Sequence, residues 1–278
     1  LAVVEPASSG IGGGGFWLLH REEDGFSTMV DGREEAPGAS TRDMYLDENG
    51  AVNRDLAVNG PLAAGIPGAA AGWVHINGSY GKLALADVLA PAIRIAREGF
   101  PVDVKYQQLL NWRAHIMLQW PYTASIFMPG DELPEIGDVI VQTDLAATLT
   151  RLAEHGHDGF YAGETARLLV EGSRAAGGIW TLDDFAAYEA TERKPITIEH
   201  GDYTLLTAAP PSSGGIAIAQ VLNLIEPFDW KEMGRVDRVH LLAEAMRRAY
   251  RDRALYLGDP DFVDIPTEML LSDHYAAG

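Results

Sequence analysis

The chain has 278 residues, of which 47% are hydrophobic and 22% charged, a composition that excludes a disordered chain, a collagen-like repeat and a coiled coil. Its 21 basic and 40 acidic side chains leave a net charge of −19, which disfavours nucleic-acid binding and attachment to anionic membranes. No cysteine is present, which excludes disulfides, thiolate nucleophiles and cysteine-ligated metals, and no apolar run is long enough to span a membrane.

The first part of the chain predicts a hairpin followed by ordered loops. An apolar run at 1–5 indicates a buried strand or helix end. The hairpin consists of a strand at 16–20, an Asp24-Gly25 turn and a returning strand at 26–30. Residues 31–85 are rich in Gly and Pro and predict ordered loops, with a short helix over 72–80.

The rest of the chain alternates irregularly between helices and strands. Thr181 and Asp184 have the spacing of a capping box, which predicts a short helix through Tyr188. Residues 194–208 alternate as a strand does. Apolar periodicity predicts further helices at 86–98, 144–154, 163–176, 216–225 and 237–256. This order favours an α+β or layered α/β fold in a single domain, 1–278, over a regular βαβ series.

The glycine-rich segment at 10–15 fits the pattern G-x-G-x-x-G. That pattern binds a dinucleotide only between a strand and a helix, because a helix N-terminus must meet the pyrophosphate. A strand follows here, so a dinucleotide site is disfavoured. A tight packing turn and a loop that lines a ligand pocket both stay open.

Other polar motifs have structural explanations. We interpret His155-Gly156-His157 as a polar helix end rather than a metal site, and the arginine cluster at 235–253 as ion pairs on a solvated helix face. A serine at Ser212-Ser213 could be a nucleophile, a substrate contact or a helix N-cap, and the cap is favoured. Arg33 suits the bidentate capture of a carboxylate, although spacing alone gives this little weight.

Short segments in a fixed order, spread over nearly the whole chain, resemble the large subunit of the gamma-glutamyltranspeptidase family. They are Glu5-Pro6-x-x-Ser9-Gly10-x-Gly12-Gly13-Gly14-Gly15-Phe16, Asp31-Gly32-Arg33-Glu34-x-Ala36-Pro37, Gly65-Ile66-Pro67-Gly68-x-x-Ala71-Gly72, Pro210-Pro211-Ser212-Ser213-Gly214-Gly215, and Glu244-Ala245 leading to Tyr250-x-Asp252-Arg253 and Leu257-Gly258-Asp259-Pro260-Asp261-Phe262. Each segment is short, but their common order makes the resemblance specific.

The resemblance implies an αββα sandwich of the N-terminal-nucleophile hydrolase type, completed by a small subunit cut from the same precursor. In this family the first threonine of the small subunit attacks the γ-amide of a donor such as glutathione. Water, an amino acid or a peptide then accepts the γ-glutamyl group. The resemblance implies no metal and no cofactor, and it places the nucleophile outside this chain, whose first residue is Leu1.

Arg33 matches the family arginine that holds the α-carboxylate of the γ-glutamyl group, and it is the one substrate-binding residue that the resemblance assigns here. Gly32 stands where the family usually has an aromatic residue. The chain is expected to be most of a large subunit, trimmed at both ends and inactive alone.

Two other functions stay open. One is a glutaryl or cephalosporin acylase, or a poly-γ-glutamate-processing relative, with the same fold. The other is a non-catalytic binding or scaffold protein that keeps the large-subunit fold. The resemblance is compatible with a periplasmic or secreted location, which the sequence leaves undetermined.

Overall fold

The glycine-rich turn leads into a β-hairpin in the computed structural model of the chain, which describes residues 1–6 and 8–278. Strand β1 covers Gly15–Arg21 and strand β2 covers Phe26–Gly32, on either side of Gly25, whose φ of 68° suits a hairpin turn. Strand β5, Thr191–Arg193, pairs antiparallel with β2, with Met29 opposite Arg193. The sheet order is therefore β1-β2-β5.

The chain forms two compact units. The first contains Leu1–Gly15 and Gly32–Ala190, and the second contains Phe16–Asp31 and Thr191–Gly278. The expected organisation as a single domain stays a prediction.

Helices dominate the first unit. Helix α3, Leu85–Glu98, ends at Gly99, whose φ of 91° favours glycine, and it packs against α6. The helices of this unit are α1 Arg54–Val58, α2 Ala69–Tyr80, α3, α4 Val104–Met117, α5 Pro121–Phe127, α6 Thr143–His155, α7 Asp158–Tyr161, α8 Gly163–Ala175 and α9 Leu182–Ala186. Two short strands, β3 Phe100–Pro101 and β4 Val139–Ile140, pair antiparallel, and 3-10 turns occur at Pro61–Ala63 and Pro129–Asp131.

Two apolar clusters form the core of the first unit. One is rich in aromatic rings and contains Phe160, Tyr161, Phe185 and Tyr188, none of which is more than 1% exposed. The other surrounds Leu149 and includes Val3, Phe100, Tyr106 and Ile140. Burying each large apolar side chain contributes about 1.5–3 kcal/mol to folding.

The second unit packs helices on a hairpin. Strands β6, Ile196–His200, and β7, Tyr203–Thr207, pair antiparallel. Helix α10, Gly214–Ile225, lies against β6 and against the long helix α11, Arg235–Tyr256, and also contacts α12, Thr267–Leu270, and α13, Asp273–Ala277. The core of this unit contains Met29, Ile196, Ile198, Ala209, Ile216, Ala219 and Leu270.

The mixture of helices and small antiparallel sheets is α+β, as expected. The first hairpin and the predicted helices are confirmed, and the capping box between Thr181 and Asp184 is present. The strand character predicted over 194–208 is confirmed, but Gly201 takes a φ of 58° and divides the segment into the two strands of a hairpin. Residues 2–4 form turns instead of a strand or helix end, and loops interrupted by α1 and α2 occupy 31–85.

Candidate substrate-binding site

Arg33 lies immediately after β2, on a stretch of chain whose side chains point to solvent. Arg33, Glu34 and Glu35 are all exposed, whereas Gly32 before them is buried. The backbone beyond Arg33 is held by a bridge in which Glu35 and Ile66 exchange hydrogen bonds, at 3.2 Å and 2.7 Å. The guanidinium is therefore presented on an anchored backbone.

The glycine-rich turn packs directly against the Arg33 backbone. A Cβ atom at Gly14 would lie 2.4 Å from the carbonyl oxygen of Gly32 and 2.9 Å from the Cα of Arg33, closer than side chains permit. The neighbouring Gly13 carbonyl accepts the backbone N–H groups of Gly68 and Ala69, both at 3.0 Å. Of the two interpretations left open, the geometry thus supports the tight packing turn.

The 65–68 loop supports the other side of the same backbone. A Cβ atom at Gly68 would lie 2.2 Å from the Gly32 carbonyl oxygen, and one at Gly65 would lie 2.9 Å from the Glu35 carbonyl oxygen. The two glycine segments that precede and follow the Arg33 motif in the sequence thus meet it in space.

Tyr188 is a contact that the sequence reasoning missed. Its hydroxyl donates a hydrogen bond of 2.6 Å to the carbonyl oxygen of Arg33. The sequence marked Tyr188 only as the expected end of a helix, and the two residues lie 155 positions apart. No periodicity or turn signal connects residues at that separation.

Asp31, at the end of β2, is buried and paired with Arg193. The Arg193 Nε donates to Asp31 Oδ2 at 2.7 Å, and its two terminal nitrogens donate to the Asp261 carboxylate at 3.1 Å and 2.7 Å. The hydrogen bond from Arg193 lowers the pKa of Asp261, and the two carboxylates raise the pKa of Arg193 against its partial burial. Arg193 therefore ties β2 and β5 to the 258–262 segment.

The serine turn lies in the second unit, immediately before helix α10. The N-cap position is occupied by Ser213 as favoured, but the Ser213 side chain makes no capping hydrogen bond. Its hydroxyl instead accepts a hydrogen bond from Arg253 Nε at 3.0 Å, while the Ser212 hydroxyl accepts the Gly214 N–H at 3.3 Å. The Pro210-Pro211 peptide before them is cis.

The histidine and arginine motifs have structural contacts. His157 contacts the Tyr188 carbonyl oxygen at 2.9 Å, and Arg247 pairs with Glu244 on α11. Among residues 1–6 and 8–278, no cluster of His, Asp and Glu side chains is arranged to hold a metal ion. In that part of the chain, no helix combines the length and apolar character that a membrane crossing needs.

Comparison with known proteins decides the family. The family model described as gamma-glutamyltranspeptidase matches residues 1–278. The chain belongs to the gamma-glutamyltranspeptidase family. Over 99% of its length it is 40% identical to the glutathione hydrolase proenzyme of Escherichia coli, of which it covers 48%. The chain therefore spans about half the length of this curated relative, corresponding to the large-subunit portion of the family.

Solved structures give the same family fold. The crystal structure of Helicobacter pylori gamma-glutamyltranspeptidase matches 99% of this chain with a TM-score of 0.96 and 38% identity, and the chain covers 80% of it. A cephalosporin acylase from Bacillus halodurans matches the whole chain with a TM-score of 0.88 and 29% identity, over 52% of its own length. The chain thus has the gamma-glutamyltranspeptidase fold, of the N-terminal-nucleophile hydrolase type. Within this fold, the Arg33 backbone is packed between the two glycine segments.

Proposed function

We propose that the whole protein transfers or hydrolyses γ-glutamyl groups, with glutathione and related γ-glutamyl amides as donors. This chain contributes the large-subunit part, and the threonine nucleophile belongs to the small subunit of the same precursor. Water, an amino acid or a peptide accepts the γ-glutamyl group. The observation that carries the proposal is that Arg33 is exposed on a backbone held by two closely packed glycine segments. The chain in which this occurs belongs to the gamma-glutamyltranspeptidase family.

Arg33 is proposed to bind the α-carboxylate of the donor. A guanidinium offers two parallel N–H donors that match the two oxygens of a carboxylate, and it stays charged at all physiological pH values. Its task is donor binding, because it holds the end of the donor that does not react and contacts that end equally before and during the reaction.

Substitution of Arg33 in the full-length enzyme tests this role. We expect Arg33→Ala to raise the donor KM for γ-glutamyl-p-nitroanilide roughly tenfold to a hundredfold, because a hydrogen bond to a charged group contributes about 1.5–3 kcal/mol. Arg42→Ala is the matched control, since Arg42 is a solvent-exposed arginine on the same stretch of chain. A donor KM that changes equally in both variants, or in neither, would contradict the role.

A second candidate is an acylase that removes glutaryl groups, as in the alternative raised by the sequence. It is favoured by the relatives: an acylase proenzyme of Pseudomonas sp. is 37% identical over 99% of this chain. A glutaryl group keeps the terminal carboxylate but lacks the α-amino group. Measuring turnover of γ-glutamyl-p-nitroanilide and glutaryl-p-nitroanilide by the full-length enzyme separates the two candidates. Faster turnover of the glutaryl compound would favour the acylase.

A further inference from the structure

Two tyrosine rings stack in the aromatic core next to the Arg33 segment, and the partly exposed ring of His157 stacks on one of them, all within the first unit. The Tyr188 ring stacks on Tyr161 with centroids 5.3 Å apart and planes 8° from parallel, and Tyr161 stacks on His157 at 4.4 Å and 17°. Tyr161 and Tyr188 are each only 1% exposed. Rings packed in this way have few alternative positions, so their hydroxyl groups are held in fixed places.

Both tyrosine hydroxyls hold backbone next to the candidate site. Tyr188 donates to the Arg33 carbonyl oxygen at 2.6 Å, and Tyr161 donates to the Pro67 carbonyl oxygen at 2.7 Å while accepting the Ala71 N–H at 3.1 Å. His157 contacts the Tyr188 carbonyl oxygen at 2.9 Å. The stack therefore joins the Arg33 peptide to the loop that packs against it.

Gly68 makes the Tyr188 contact possible. A Cβ atom at Gly68 would lie 2.0 Å from the Tyr188 hydroxyl oxygen, so any side chain there would displace the hydroxyl from the Arg33 carbonyl. A phenylalanine at 188 would fill the same core volume, and core packing alone therefore does not require a hydroxyl group. What the hydroxyl adds is the hydrogen bond to the Arg33 carbonyl oxygen.

We propose that Tyr188 is a positioning residue for Arg33, whose buried hydroxyl fixes the Arg33 peptide and so presents the guanidinium to the donor carboxylate. The inference rests on the proposed function, since it assigns Tyr188 a role in that same site. A fixed backbone reduces the freedom that the arginine loses when the donor binds, which strengthens binding. Tyr188 acts on donor binding alone, because it acts through Arg33.

The test is Tyr188→Phe in the full-length enzyme, which keeps the stacked ring and removes one hydroxyl group. We expect the donor KM to rise roughly two- to tenfold, the range of one buried hydrogen bond, with kcat unchanged. Tyr45→Phe is the matched control, because Tyr45 also donates to a backbone carbonyl, that of Leu62 at 2.9 Å, away from Arg33. Thermal unfolding of both variants measures any general loss of stability.

A double substitution separates positioning from a general structural effect. In an Arg33→Ala background, Tyr188→Phe should raise the donor KM no further, because the hydroxyl acts through the missing side chain. Amide hydrogen exchange over residues 32–36 should be faster in Tyr188→Phe than in the wild type, and unchanged in Tyr45→Phe.

An unchanged donor KM in Tyr188→Phe, or the same KM rise in the Arg33→Ala background, would overturn the inference while leaving the proposed function intact. If Arg33→Ala itself has no effect on the donor KM, the proposed role of Arg33 fails instead. Hydrogen exchange then still decides the Tyr188 contact, because unchanged exchange over residues 32–36 would overturn it independently of activity.

Discussion

Gly14 and Gly68 bring backbone to within contact distance of the Arg33 segment from two directions. A Cβ atom at Gly14 would meet three backbone atoms of residues 32–34 at 2.4 to 2.9 Å, and backbone cannot move aside as a flexible side chain can. Gly14 is therefore required for close packing and not for an unusual φ angle, since its φ is not in the left-handed region. The absence of side chains at Gly14 and Gly68 therefore allows both segments to support the Arg33 backbone.

Gly14→Ala should destabilise the full-length protein by about 1–3 kcal/mol, the cost of forcing extra volume into a packed site. Gly78→Ala is the matched control, because Gly78 lies inside α2 with open space around its Cβ position. Alanine favours a helix, so this variant should gain about 0.5–1 kcal/mol. Urea unfolding of both variants measures the difference, and equal stabilities would show that the close approach at Gly14 is unimportant.

Of the residues at the candidate site, Arg33 can be predicted from the sequence and Tyr188 cannot. Arg33 could be chosen because its residue type and its motif both point to carboxylate binding. Tyr188 could not, because its hydrogen bond to Arg33 spans 155 residues and depends on how the aromatic core folds. The capping bond predicted for Ser213 is absent for a related reason: the Ser213 hydroxyl accepts a hydrogen bond from Arg253 of α11, 40 residues further along the chain.

At the scale of elements, Arg193 joins β2, β5 and the 258–262 segment through three hydrogen bonds to Asp31 and Asp261. The Asp31 side chain is 7% exposed and the Asp261 side chain is 60% exposed. Arg193 therefore binds one buried carboxylate and one solvated carboxylate. A guanidinium can serve both carboxylates at once because its donors point in fixed, separate directions. Lysine at 193 would lose that geometry.

Removing the Asp261 charge should destabilise the protein only at pH values at which the Asp261 carboxylate is ionised. The pKa of Asp261 is lowered in the folded state, so its contribution is fully present above the unfolded pKa of about 3.9 and is lost as the pH falls through the lower, folded value. Asp261→Asn should therefore lower stability by about 1 kcal/mol or less across pH 5–8, since the carboxylate is solvated. Below about pH 4 the gap from the wild type should shrink.

Thermal unfolding of the full-length protein over this pH range checks the expectation. Asp24→Asn is the control, because Asp24 also pairs with an arginine, Arg21, but only three residues away within the first hairpin. The hydrogen bond from Arg21 also lowers the pKa of Asp24, to about 2. The deficit in Asp24→Asn should therefore also shrink at low pH, although this pair connects no distant elements. A deficit in Asp261→Asn that persists undiminished at pH 3 would show that the charge is not its cause.

A clear apolar stripe makes helix α6 predictable from sequence periodicity. Helix α6 buries Ala146, Leu149 and Leu152 on one face, and its 3.6-residue spacing is visible in the sequence. Helix α4 was not predicted, because it buries only Tyr106 and Leu110 while Trp112 is 74% exposed. The alternation over 194–208 predicts strand structure but not the hairpin turn, because it continues through both arms and only Gly201 marks the turn.

At the scale of the whole molecule, the chain contains a core and the proposed donor-binding arginine, but only part of the proposed enzyme. It spans about half of the curated relatives that it matches. Within the chain, Arg33 is the group proposed to touch the donor, and the nucleophile is proposed to come from the small subunit. Binding and bond cleavage are thus assigned to different polypeptides of one precursor.

This division predicts that the 278-residue chain alone does not release p-nitroaniline from γ-glutamyl-p-nitroanilide, because the donor amide meets no nucleophile. The full-length precursor, assayed at the same molar concentration, should turn the donor over. Circular dichroism of the short chain provides the control that it is folded during the assay. Turnover by the folded short chain at a rate comparable to that of the full-length protein would refute the division. An inactive full-length protein that still binds a γ-glutamyl compound would instead favour the non-catalytic binding protein.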